Sequence, residues 1–196
     1  MDRSAYKDHL EITYDRILDK MVPILGIPYK IEKLEMIIRP MIIYGGVTQE
    51  NGKLRYLYLR DITESHFGTL EELAKIEFTL AHEVGHQIHF EVNPQQRLIT
   101  FEEDDKVLKF KKRTTTNKRI YIFNEFIAEY FALLSSDVIE GLNSTLNRIG
   151  NSEPKKEVLR EYNQLLNIES RINFLIRLME IEYCGDIPFY ILKKNI

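Results

Sequence analysis

Two imidazoles stand four positions apart in His82-Glu83-Val84-Gly85-His86, with a carboxylate directly after the first. On a helix, positions four apart lie one turn apart on one face, so His82 and His86 can offer ring nitrogens to a single metal ion. Glu83 projects to the side of that pair, where a water on the metal would sit. A carboxylate there can accept the water's proton while the metal lowers the water's pKa. The plain alternative is a surface helix with two solvated histidines. The surroundings weaken that alternative. Thr69 and Glu72 have the spacing of a capping box that opens a helix. Leu73, Ile76, Leu80, Val84 and Ile88 then recur at helical spacing, which places the motif on an amphipathic core helix. Gly85 costs about 1 kcal/mol relative to Ala in a helix interior. Its missing side chain would let another backbone or a ligand come close. His89 lies on the same face, but about 10 Å along the axis from His82 by the helical rise. It is read as a supporting or structural residue, not a ligand.

A second group of candidates lies further along the chain. Residues 120 to 140 are predicted as a helix, with Ile120, Phe123, Ile127, Phe131 and Leu134 as its apolar stripe. Glu125 and Glu129 lie four apart within it. Acidic side chains on such a helix are expensive to bury unless paired or metal-bound. They could instead point to solvent. A site with two histidines needs a further protein ligand and an open position for water. Glu125 can supply that ligand, and Glu129, one turn on, can hydrogen-bond a ligand imidazole and hold it in place. A hydrolytic site of this kind also needs a donor for the developing oxyanion, and Tyr121 and Tyr130 are near in sequence.

His82-Glu83-Val84-Gly85-His86, followed by the helix carrying Glu125, Ala128, Glu129, Phe131 and Ala132, resembles the gluzincin peptidases. The form of the two motifs is closest to the ImmA/IrrE-type peptidases. Glu125 follows His86 by thirty-nine positions, a longer spacing than in thermolysin. Leu133-Leu134-Ser135-Ser136 stands where a Leu-Met-Pro segment often follows that family's second motif. The likeness covers two helices, roughly residues 70 to 90 and 120 to 135 by their periodicity. It implies a compact zincin fold and a zinc ion on His82, His86 and Glu125. It also implies Glu83 as general base and, as substrate, a regulatory protein cut at a limited number of sites.

The remaining elements must position these residues. Residues 3 to about 21 are predicted as a helix with Leu10, Tyr14, Ile17, Leu18 and Met21 on one side, broken by Pro23, Gly26 and Pro28. His9 on that helix receives no role. Residues 29 to 61 are predicted as strands, with Pro40 at a sheet edge or a break and Asn51-Gly52 as a hairpin turn. If Lys53–Arg60 were an exposed edge it could pair with an extended peptide, whereas an interior strand could not. Residues 93 to 118, with Glu102-Glu103-Asp104-Asp105 before Lys109, Lys111, Lys112 and Arg113, are either a solvated excursion or a lid over the site. One long helix is predicted from about 154 to 182, with Leu159, Tyr162, Leu165, Leu166, Ile172, Leu175, Ile176 and Met179 as its apolar face.

Composition narrows the class. The 196 residues are 44% hydrophobic and 29% charged, as expected of one globular domain, residues 1–196. The net charge of −3 gives no strong attraction to nucleic acid. The single cysteine, Cys184, excludes an internal disulfide and a cysteine-rich metal site. No apolar run spans a bilayer, and no signal peptide is read at the start. The expectation is therefore a cytoplasmic α+β protein, a compact zincin-like domain. A small, mainly antiparallel sheet would pack on the His82–His86 helix with further helices around it. One Zn2+ ion would serve a peptide or protein substrate, with no nucleic acid or membrane partner. The other class to weigh is a metal-bound module that captures a partner without cutting it.

Overall fold

The computed structural model describes residues 2–40, 45–50, 53–63, 69–95, 115–142 and 153–181. Helix α1 spans Arg3–Ile24, with the Asp2 carboxylate accepting from the Ala5 N–H at 2.9 Å as its cap. Tyr6, Leu10, Tyr14, Ile17 and Met21 bury one stripe of it. The helix outlasts its predicted end because Pro23 falls in the last turn, where Leu25 N–H still reaches Met21 O. Gly26 then turns the chain at φ +67°.

Strands β1 (Glu35–Arg39), β2 (Gly45–Glu50) and β3 (Lys53–Arg60) form one sheet in the order β1-β3-β2. β2 and β3 are the expected antiparallel hairpin, with Glu50 opposite Lys53. β1 pairs parallel to β3. The sheet is therefore mixed, not mainly antiparallel, because β3 inserts between two strands that are neighbours in sequence. Pro40 marks a break after β1, while Met41 to Tyr44 lie outside the described residues. Lys53–Arg60 is the interior strand, so it is not the edge a peptide could extend. In its pairing with β2, Tyr56 faces Thr48 but Leu54 faces Gln49, which makes Arg55 the extra residue of a bulge. That one-residue step flips the alternation, so Leu54, Leu57 and Leu59 all reach the core.

Helix α2 spans Leu70–Val92, and Thr69 caps it by accepting from Glu72 N–H at 3.2 Å, as the spacing predicted. From Leu80 to Phe90 only His82 is not classed as buried, and its side chain is only 13% exposed. α2 is the central helix. It packs on α1, on β2 and β3, and most extensively on α3 (Thr115–Val138). Behind α3 lie α4 (Glu153–Gln164) and α5 (Ile168–Glu180). The single helix predicted over 154–182 is thus two. Asn167 caps α5 by accepting from Ser170 N–H at 2.8 Å, and Arg171 Nε donates to Leu165 O at the corner. Leu166, which helical spacing assigned to an apolar face, is 93% exposed there. No described helix is long and apolar enough to cross a membrane.

Candidate metal centre

The centre lies where α2 and α3 touch. His82 and His86 stand one turn apart with ring centroids 4.8 Å apart and planes at 83°. Glu125 reaches across from α3. Its Oε2 is 3.6 Å from His82 Nε2 and its Oε1 is 3.4 Å from His86 Nε2. One ligand atom from each of the three residues lies within 4.8 Å of the others. With metal–ligand bonds of about 2.0–2.1 Å, the edge of a tetrahedral site is roughly 3.3 Å, so these separations suit a shared cation. The N/O donor set of two imidazoles and one carboxylate suits zinc. Glu129, one turn beyond Glu125 and almost fully buried, approaches His82 Nδ1 with Oε2 at 3.0 Å. With the Nδ1–H donating to Glu129, the Nε2 lone pair faces Glu125.

Gly85 makes this approach possible. A Cβ built there would lie 3.0 Å from Phe131 Cβ and 3.1 Å from Ala128 Cα. The close neighbours are the Phe131 side chain and the α3 backbone at Ala128, and a close backbone is one of the alternatives the sequence left open. On the other side of α2, β2 passes closer still. A Cβ on Gly45 would lie 2.6 Å from Thr79 Cγ2 and 3.2 Å from Glu83 Oε1. Glu83 is thus buried between its own helix and the start of β2.

The electrostatics favour a cation. Three carboxylates, Glu83, Glu125 and Glu129, surround two imidazoles. Burial alone would lower the His82 imidazole, but hydrogen bonds to Glu125 and Glu129 raise it well above its ordinary value. Burial would raise Glu125, yet His82 and His86 hold it far below the usual carboxylate range. Burial raises Glu83, and the neighbouring histidines only partly offset this. That is the direction a general base working near neutrality requires.

His89 does not join the cluster. Its ring stacks on Phe90 at 5.6 Å and meets Phe123 edge-on at 6.2 Å, and neither nitrogen has a hydrogen-bond partner among the described residues. Burial pushes it down to about 3, so it is neutral. Tyr130 packs away from the centre against Tyr162 and Phe174, at 4.9 and 5.1 Å between ring centroids, which removes it as an oxyanion donor. The Tyr121 side chain, His66, Cys184 and residues 96–114, most of the segment read as a lid or excursion, lie outside the description.

Sequence reading passed over three supports. Gln87 is buried beside His86, accepts from Tyr14 Oη, and donates to Glu32 O at 2.6 Å. Tyr14 Oη in turn accepts from Leu34 N–H at 3.1 Å, tying α2 to α1 and to the approach to β1. His9 is also not idle, since its Nε2 lies 2.6 Å from the buried Glu77 carboxylate on α2. A neutral polar residue directly before Ile88 on the motif helix was the available signal for Gln87. Gly45 had none, because its neighbours are far away in sequence. No family model, no curated protein and no solved structure matches this chain.

Proposed function

We propose that the chain is a zinc-dependent endopeptidase in which His82, His86 and Glu125 hold the ion and Glu83 is the general base. The supporting observation is the convergence of Glu125 on both imidazoles, at 3.4 and 3.6 Å, with a buried carboxylate beside them. A zinc ion held there would supply Lewis acidity toward a water and a scissile carbonyl. Glu83 accepts the attacking water's proton and returns it to the leaving amine. Its burial keeps competing water away and holds its basicity up. Glu129 fixes the His82 tautomer so that the other ring nitrogen stays a donor to the ion. The likeness of both motifs to the ImmA/IrrE-type peptidases belongs to the same proposal.

The test is metal analysis of the purified protein together with a peptide-cleavage screen. The expected result is about one zinc per chain in the three-residue site and cleavage that a chelator abolishes and zinc restores. A zinc-loaded protein that binds a partner tightly and never cuts it would refute the peptidase and favour a metal-bound binding module.

A further inference from the structure

We propose that Gly45 is a positioning residue, the bare stretch of β2 that walls Glu83 against the histidines, with Thr79 setting how close the strand can come. The inference deepens the peptidase reading and rests on it for the role of Glu83.

Glu83 and Thr79 are four apart on α2 and share the face that meets β2. A Cβ on Gly45 would lie 2.6 Å from Thr79 Cγ2, 3.1 Å from Glu83 Cγ and 3.2 Å from Glu83 Oε1. Gly46, the next residue, would meet nothing within 4 Å. Neither glycine has the positive φ that demands one. Gly45 is therefore required for room, not for backbone conformation.

The parts of this seat are fixed. Thr79 Oγ1 donates to Lys75 O at 2.8 Å, which sets the direction of its methyl group. Gly45 pairs with Leu59, whose side chain is fully buried in the core, so β2 does not slide freely. Glu83 thus has its own helix on one side and glycine backbone on the other. A side chain at position 45 would have to lift β2 by roughly 1 Å to restore an ordinary carbon–carbon distance at Thr79. Misplacement of about 1 Å near a reacting group can cost about 10²-fold in rate.

The experiment compares Gly45→Ala, Gly46→Ala, Thr79→Ser and the double variant Gly45→Ala/Thr79→Ser, all zinc-loaded. Thr79→Ser keeps the hydroxyl bond to Lys75 and deletes only the methyl group in the way. Gly45→Ala should lower kcat about 10- to 100-fold with KM and zinc content unchanged. Thr79→Ser in that background should restore most of the loss, and Gly46→Ala should lose less than Gly45→Ala. The 13C carboxyl resonance of Glu83, identified by its loss in Glu83→Gln, should move in Gly45→Ala and return in the double variant. If Gly45→Ala does not fold, recovery of folding through Thr79→Ser is the same steric rescue, and the resonance is then read in the double variant. Wild-type turnover in Gly45→Ala, a loss that Thr79→Ser does not relieve, or an unmoved Glu83 resonance would overturn the proposal. If the resonance follows the pattern while the zinc-loaded wild type cleaves nothing, the seat stands and the peptidase reading falls.

Discussion

Gly85→Ala sets two magnitudes against each other at the contact that builds the centre. Replacing a mid-helix glycine by alanine gains about 1 kcal/mol of helix propensity. The added carbon, however, would lie 3.0 Å from Phe131 Cβ and 3.1 Å from Ala128 Cα. Ordinary carbon–carbon contact is about 3.5–4.0 Å, so α2 and α3 must part by roughly half an ångström. One of the two contacts is backbone, and no side-chain rotation relieves it. Overpacking of this kind costs about 1–3 kcal/mol, which leaves a net loss of about 0–2 kcal/mol. The metal should register the change more strongly than stability does. Glu125 lies three residues before Ala128 on the same helix, so the displacement carries its carboxylate away from His82 and His86. Metal–ligand distances tolerate only about 0.2 Å, so zinc affinity should fall at least about tenfold, or about 1.4 kcal/mol. The assay is zinc competition against a chromophoric chelator, with thermal unfolding measured with and without zinc. A variant more stable than wild type by the full propensity gain, with unchanged zinc affinity, would refute the close-packing argument.

Three further outcomes are expected. Glu83→Gln should keep its zinc while hydrolysis falls by at least about 10²–10⁴-fold; wild-type cleavage by that variant would sink the mechanism. Glu125→Ala should lose much more zinc affinity than Glu129→Ala, whose loss should be on the order of 10–100-fold; a metal-free Glu129→Ala with a loaded Glu125→Ala would exchange their roles. His89, pushed down to about 3 by burial, is neutral when folded but titrates near 6.5 when unfolded. The unfolded chain therefore binds the extra proton, and stability should fall as pH drops below 6.5, by about 1.4 kcal/mol per unit from this group. His89→Phe should remove that component, so parallel stability curves for wild type and variant between pH 6.5 and 5 would contradict it.

What was legible in the sequence was mostly local. The 82–86 spacing, the Thr69 cap and the Asn51-Gly52 hairpin each depend on a few adjacent residues. Glu125 and Glu129 were legible for a different reason, as charges on a helix otherwise built for the core. The sheet order was not legible. Whether β1 neighbours β2 or β3 turns on where the chain passes after Pro40, and alternation within each strand is silent about it. Periodicity carries one helix through the corner at Asn167, because Leu165 and Leu166 keep the helical period while the capping side chain competes with it. Periodicity weighs the apolar residues and overlooks the one polar residue that ends the run.

The composition of α2 itself argues for the site. An all-round buried helix is the costliest place for polar side chains, yet Glu77, Glu83, His86, Gln87 and His89 are all buried on it. Two of these have plain structural partners: His9 answers Glu77, while Tyr14 and Glu32 answer Gln87. These bonds tie the helix to α1 and to the entry of the sheet. Glu83 and His86 have no such structural explanation. Glu83 sits in a seat shaped by a missing side chain on β2, and His86 shares with His82 a carboxylate brought within reach by a missing side chain at Gly85. Both glycines give up packing and conformational economy to bring charged groups together. A fold selected only for stability would replace those charges with apolar groups. Local rules broken together at Glu83 and His86, with His89 also buried and unpartnered among the described residues, are what supports a functional reading of this centre.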